Sequence, residues 1–343
     1  MPQTPLTDRQ LRVLEAVVQS YIETAEPAGS QMIARRFGLG VSPATIRSIM
    51  SELEERGFLF HRHTSAGRVP TDLAYRTYVD LVMHRAPLSS EQQLAIEAEL
   101  QGRTSALEEI LRRAAQVLGV LSQELGVAVA PALDGVVLAR VELLQVASDR
   151  LLLVLDLRSG AVRTIFVRVP GHLAPESVRL VSHLLNERLA GLTLREIRNT
   201  LGDRLRDAHS PGGSRELLDI FIAEGDEIFA MGEPEGVMLG SAQMLADQPE
   251  FASNARMREL LALTERRDLL REALEARRRT GLSITIGTEN ADTRLNDLTL
   301  VTSSYRKGDL SGVIGVIGPT RMPYDKIIGL VEHTSRLVEG LLE

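Results

Sequence analysis

From Thr7 onward the apolar positions Leu11, Leu14, Val17, Val18, Tyr21 and Ile22 recur at helical spacing. Thr7 and Gln10 stand three apart, the pair that closes a capping box at a helix start. Pro27 bars continuation of this helix. A short second helix is predicted from Ser30 to Phe37, with Met32, Ile33 and Phe37 inward and Gly38 as its left-handed stop. A third opens on Ser42 as N-cap with Pro43 at the first helical position, where a missing N–H costs nothing. Ile46, Ile49, Met50 and Leu53 form its apolar face, and Gly57 ends it. Phe58-Leu59-Phe60 and Val69 then bracket a hairpin whose tip is His63-Thr64-Ser65-Ala66-Gly67. A helix with Tyr75, Tyr78, Val79 and Val82 on one side follows from about 72 to 85. Helix, glycine turn, polar-starting helix and small hairpin is the order in which helix-turn-helix proteins place a helix in the major groove and a wing beside it.

Pro87-Leu88-Ser89-Ser90 reads as a linker, and helices are predicted at about 90–101 and 104–125. The pattern then shortens. Residues 127–130, 136–147, 150–157 and 162–169 are rich in Val, Leu and Ile and are broken by Asp-Gly, Ser-Asp and Ser-Gly, as hairpin strands are. Helical periodicity returns over 175–207, and His209-Ser210-Pro211-Gly212-Gly213 breaks it. Helices are predicted at 214–230 and 251–280, strands at 282–287, 297–305 and 311–317, and a last helix from about 324 to 342. The simplest architecture is an α+β multidomain chain. Its sheet would be completed late, with a mainly helical insertion at about 210–281.

With 343 residues the chain exceeds one average domain. Cysteine is absent, which excludes disulfides and thiolate metal sites. Met1-Pro2-Gln3-Thr4-Pro5 has neither the basic nor the apolar region of a signal peptide, and Leu151–Leu155 is far too short to span a membrane. A cytoplasmic protein without membrane association is expected. The formal net charge is −7, but residues 1–80 hold nine Arg and nine acids, so the excess acid lies beyond them. Residues 30–76 hold seven Arg and four acids, a local +3. DNA contact should therefore be confined to one face of the N-terminal module.

Several stretches together carry a family resemblance. They are Ser42-Pro43-Ala44-Thr45-Ile46-Arg47, Thr64-Ser65-Ala66-Gly67-Arg68-Val69-Pro70-Thr71 and Tyr75-Arg76-Thr77-Tyr78-Val79-Asp80. Near the C-terminus, Gly287-Thr288-Glu289-Asn290 and Ile317-Gly318-Pro319-Thr320-Arg321-Met322 join them. In these the chain resembles the HrcA-type heat-inducible transcription repressors of bacteria. Ala74 stands where the family carries Gly, and Arg stands where many members carry Lys. The resemblance implies a winged helix over 1–86 and a GAF-like domain over 87–209 and 282–343, interrupted by a dimerisation domain over 210–281. It also implies repression of chaperone operons through an inverted-repeat operator, with the chaperonin GroEL as modulator.

On the third helix, Ser42, Pro43, Ala44, Thr45, Arg47 and Ser48 lie away from Ile46 and Ile49 and are the candidates for base and phosphate contact. Their small side chains let the helix approach the groove, and Arg47 can hold guanine bidentately or bind phosphate. In the hairpin Arg62, Thr64, Ser65 and Arg68 supply donors with no carboxylate between 56 and 71, as a backbone-facing wing requires. Leu217, Leu218, Phe221, Ile222, Leu260, Leu261 and Leu270 are the candidate dimer contacts, on helices that have no evident core of their own. Gly312, Gly315 and Gly318 do not have the spacing of a phosphate loop, and close strand packing is the expected role. Glu289-Asn290 with Asp292 reads as loop capping before a ligand pocket, and Arg277-Arg278-Arg279 as cations at a helix C-terminus. No catalytic motif, metal site or cofactor is expected. A repressor answering to a small metabolite is the alternative reading.

Overall fold

The structure is a computed structural model describing residues 5–61, 67–83, 87–100, 107–131, 135–158, 160, 162–206, 213–229, 236–307 and 310–341. Its head follows the sequence pattern closely. Helix α1 (Asp8–Thr24) is capped by Thr7, whose hydroxyl accepts from Gln10 N at 3.3 Å while Thr7 N donates to Gln10 Oε1 at 3.0 Å. It buries Val13, Leu14, Val17, Val18 and Tyr21. Helix α2 (Ser30–Phe37) stops at Gly38, which takes φ +56°. Helix α3 (Pro43–Glu55) starts on Ser42, whose hydroxyl accepts from Thr45 N at 3.1 Å, and buries Ile46, Ile49, Met50 and Leu53. Strands β1 (Leu59–His61) and β2 (Arg68–Pro70) pair antiparallel, Leu59 facing Pro70 and His61 facing Arg68. Ala28 adds a bridge to Arg68, and a β-carbon on Gly67 would overlap the carbonyls of Pro27 and Ala28, so only glycine fits there. Helix α4 (Asp72–Thr77) is capped by Thr71 and widens into a π-turn over Tyr78–Val82.

Beyond the head run α5 (Ser90–Leu100), α6 (Leu107–Ser122) and β3 (Leu125–Val129). The next elements are β4 (Leu138–Ala147), β5 (Arg150–Leu157), β6 (Val162–Arg168), α7 (Pro175–Leu189), α8 (Leu194–Arg206) and α9 (Gly213–Phe229). The chain continues through β7 (Val237–Leu239), α10 (Gln243–Ala246), α11 (Asn254–Glu265), α12 (Arg267–Glu275), β8 (Leu282–Ile286), β9 (Leu298–Lys307), β10 (Leu310–Pro319) and α13 (Tyr324–Leu341).

Two compact units result. The first takes residues up to Val129, Met238–Tyr305 and Val313–Leu341; the second takes Ala130–Val237 with Arg306–Gly312. The first unit contains the head and a five-stranded sheet in the order β7-β3-β10-β9-β8, with α6 packed on β3 and α13 packed on α6. Gly315 lies in β10 where a β-carbon would overlap Val301 O of the next strand. The second unit contains an antiparallel meander, β4-β5-β6, whose inner face carries Val141, Leu143, Leu151, Leu153, Leu155 and Val167 into one core with α7, α8 and α9. Asn186 of α7 ties to β4 by accepting from Val141 N at 2.8 Å and donating to Val141 O at 2.5 Å.

This corrects two expectations. The strand at 127–130 does share a sheet with those at 282–317, but the strands from 136–169 do not, because β4, β5 and β6 pair only with one another among the described residues. The inserted unit is accordingly 130–237, a three-stranded sheet with three helices, where a mainly helical 210–281 is expected from the sequence. Hydrophobic periodicity marks each strand but carries no information on which strand is its partner. The break at 209–213 falls within the second unit, and His209–Gly212 lie outside the described residues. The missed element is β7, only three residues long, which pairs beside β3 and returns the chain to the first sheet.

The dimer candidates are corrected with it. Leu217, Leu218 and Phe221 are at most 1% exposed in the single chain, and Ile222 packs half-buried against the same core. Leu260 and Leu270 are likewise buried but in the first unit, leaving only Leu261 exposed. Each buried side chain contributes roughly 1.5–3 kcal/mol to its own unit, so these residues are already committed within the chain.

Candidate nucleic-acid interface

Along α3 the apolar face is fully used by the head core, which turns the opposite face outward. Ser42, Pro43, Ala44, Arg47 and Ser48 are exposed, and Thr45 is half-buried with its hydroxyl 3.0 Å from that of Ser42. No carboxylate occupies the first turn. The acids of this helix sit at its other end. Glu52 accepts from Gln10 Nε2 at 2.9 Å, and Glu54 faces the wing. The exposed end therefore combines the Ala44 N–H, which has no acceptor among the described residues, the positive end of the helix dipole and short hydroxyls, groups that suit phosphate oxygens. Arg47, one turn further, makes no ion pair among the described residues. Its guanidinium is available to bind an acceptor outside the chain.

The wing is built otherwise than its sequence suggests. Arg62, Thr64 and Ser65 lie outside the described residues. Arg68 does not point freely outward: its side chain is 16% exposed, its Nε lies 2.9 Å from Glu54 Oε2, and it also contacts His61, which itself meets Glu54. The window from 56 to 71 is indeed free of carboxylates, but the fold brings Glu54 in from α3. The cluster fastens the base of the wing to the back of the helix beside it.

The head is fixed to the rest of the first unit by contacts the sequence did not disclose. Arg76 of α4 donates from Nε and Nη2 to both oxygens of Glu289, at 2.7 and 2.5 Å, and from Nη2 to Ile284 O at 2.7 Å. Burial alone would raise the Glu289 pKa, but the donors Arg76 and Ile286 N outweigh it and hold this carboxyl below its ordinary value. Asp72 accepts from Thr288 N and Oγ1 at 2.9 and 3.0 Å. Gly287 has φ +54°, and a β-carbon there would overlap the Asp72 carboxylate. Arg321 donates to Ile22 O at the end of α1 (2.7 Å) and to both oxygens of Glu250 (2.6 and 3.1 Å). The Tyr75 and Tyr324 rings pack with centroids 6.0 Å apart. Thus Gly287-Thr288-Glu289 and Arg321, noticed in the sequence as motifs, are where the head is held. Their spacing to the head in the chain, more than two hundred residues, hid that role.

A Ser-capped helix with an outward polar face, a glycine turn before it and a strand pair beside it define a winged-helix transcription regulator. The family model described as "HrcA protein C terminal domain" matches residues 108–328. A heat-inducible transcription repressor HrcA from Chlorobium phaeobacteroides (strain BS1) is 38% identical over 340 residues, covering 96% of each chain. Another from Chlorobium limicola is 38% identical over 347 residues, covering 97% of this chain and 96% of its own. A solved structure described as a hypothetical protein superposes with a TM-score of 0.70 at 22% identity, over 98% of this chain and 99% of that one, which shows a shared fold. The chain belongs to the HrcA family of heat-inducible transcription repressors.

Proposed function

We propose that this repressor acts in the cytoplasm on double-stranded DNA, binding the inverted-repeat operator of chaperone operons as a homodimer. The observation that carries the reading is the outward face of α3. Ser42, Pro43, Ala44, Thr45, Arg47 and Ser48 surround an acid-free helix start, and Arg47 has no ion pair among the described residues. Ser42 and Thr45 contact phosphate, and Arg47 reads a base edge. Arg68 supports the wing, and Arg62, Thr64 and Ser65 are the proposed contacts to the DNA backbone. An inverted repeat needs two copies related by a two-fold axis.

The surface best suited to the second copy is the outer face of the β4-β5-β6 sheet. Leu144, Leu152 and Phe166 are in register across its three strands, and Leu144 and Phe166 are 50% and 65% exposed. Val146, two residues along β4, is 51% exposed beside this row, whereas Val162 shares a register with Asp156 and Arg140, beyond the intervening Glu142, Val154 and Thr164. A solvated sheet face is ordinarily polar, so an apolar row across it is a surface awaiting cover. Leu217, Leu218, Phe221 and Ile222 then serve the dimer from behind, as the core on which this sheet rests.

A chain whose apolar sheet face is uncovered is the kind of species a chaperonin binds. This supports GroEL as the modulator: it would return uncovered, inactive chains to the dimer by mass action. Titration of purified protein with operator duplex, across temperature and with or without chaperonin, tests the reading. The DNA-competent fraction should fall on warming and rise with chaperonin, at constant intrinsic affinity. Binding to operator no tighter than to random duplex would sink it.

A further inference from the structure

Between α12, β8 and the turns after it lies a cleft of about 500 Å³, wholly within the first unit. That is a volume typical of small-molecule sites, which span roughly 300–1,000 Å³. Its wall includes Arg277, just past the end of α12. The guanidinium contacts Ala273 O and donates from Nη2 to Thr285 Oγ1 at 2.7 Å. Both partners are neutral oxygens. Its Nε is buried without a hydrogen-bond partner, and no carboxylate among the described residues forms an ion pair with it. Removal from water with nothing to offset it lowers the Arg277 pKa from its ordinary value. A half-buried cation that lacks a counterion and borders an open cleft has the signature of an anion site.

The surrounding residues narrow the anion. Thr285 passes its own proton to Asn290 Oδ1 at 2.8 Å, and Asn290 spends its amide on the carbonyls of Gly287, Leu295 and Leu298. The floor around Arg277 is therefore preorganised rather than adaptable. Leu269, Ala273 and Leu295 give the cleft an apolar side. Three acids face it: Glu272 from α12, and Glu289 and Asp292 from the turns. Glu289 is taken by Arg76 and Asp292 by Arg294, so neither neutralises Arg277, yet their rim of negative charge repels a polyanion such as a nucleotide.

We infer that this cleft binds a small monocarboxylate, its carboxylate on Arg277 and its apolar body along Leu269, Ala273 and Leu295. The site is additional to operator binding and stands or falls independently of it. The test uses the full chain with sodium hexanoate, 1-hexanol and inorganic phosphate at matched ionic strength, read by ligand-observed NMR and by thermal shift. Hexanoate should bind saturably with a dissociation constant on the order of 1 mM or below, and hexanol and phosphate at least about tenfold more weakly. Arg277→Gln should weaken hexanoate by about tenfold or more, while Arg279→Gln, removing a neighbouring exposed cation, leaves it unchanged. Ala273→Leu fills the cleft with the guanidinium intact and should abolish binding, which covers the case in which Arg277→Gln does not fold. Equal affinity for hexanol, binding that survives Ala273→Leu, or no saturation by about 20 mM hexanoate would overturn the inference.

Discussion

Two faces of the head use arginine in opposite ways. On the outward face of α3, Arg47 has no ion pair among the described residues and stands beside a helix start without acids. On the inward face, Arg76 of the head and Arg321, which reaches the head from the turn between β10 and α13, are each held bidentately by a carboxylate and also by a backbone carbonyl, Ile284 O and Ile22 O. The side chains are chemically identical, so the difference lies in whether the fold supplies the acceptors. Where acceptors are supplied, arginine joins parts of the chain. Where they are withheld, its binding capacity is directed outside. Arg68 falls between: it looks outward by sequence but its charge is paired with Glu54.

Breaking the inward face should have the largest effect. Arg76→Ala strands the Glu289 carboxylate in a partly buried site and should lower folding stability by about 2–3 kcal/mol in urea titration, less than for a fully buried pair because both side chains keep some solvent contact. Glu289→Ala in addition should cost much less than its own single-mutant effect; simple additivity would mean the clamp is not a unit. The converse holds for the outward face. Arg47→Ala should weaken operator binding by about 1–3 kcal/mol and relax base preference at one position per half-site, with stability within about 0.5 kcal/mol of the parent. A stability loss as large as that of Arg76→Ala would erase the contrast between the faces.

Arg68→Ala sharpens the intermediate case. Because its charge is paired, the variant should lower stability by about 1 kcal/mol and weaken DNA binding evenly across sequences, while the salt slope changes by less than the full unit expected of an unpaired phosphate contact. A full unit of slope with unaltered stability would return Arg68 to the outward class.

The smallest effect is a pH dependence. Glu124 is buried with Oε2 unpartnered, and burial drives its pKa well above the ordinary carboxylate value, against the pull of Gln248 and Arg321. Its stabilising neutral form is fully present below the unfolded pKa and is lost as pH rises through the raised folded one, so the native state is penalised on the alkaline side. Glu124→Gln should therefore raise the melting temperature, by more at pH 9 than at pH 6. Glu289 has the opposite sign: its pKa is lowered, so its contribution is present above the unfolded value and fades as pH falls through the folded one. A Glu124→Gln gain independent of pH would show that this carboxyl does not ionise in the folded state over that range.

The recognition helix was legible in the sequence because its determinants are local. Ser42, Pro43 and the spacing of Ile46, Ile49 and Leu53 fix cap, start and inward face within a few residues, and the outward face follows by geometry. What was not legible depends on contacts distant in sequence. Glu54 reaches Arg68 across the wing, Glu289 reaches Arg76 across more than two hundred residues, and β4 pairs with β5 instead of joining β3. The apolar residues 217–222 looked unpartnered for the same reason: the sheet that covers them lies some fifty residues upstream.

The neighbouring places of β3 and β7 carry a consequence for how such a chain could arise. The polypeptide leaves the first sheet at Val129 and rejoins it at Val237, on adjacent strands linked by Gly240 N to Gly126 O at 2.8 Å. Departure and return are thus stitched together by the sheet itself, and the intervening hundred or so residues add little to the entropy of closing it. A whole domain could have been acquired at this point in a single genetic event without disturbing the host sheet. By the same token, excising 130–237 is the cut after which the first unit retains every strand but the first residue of β7.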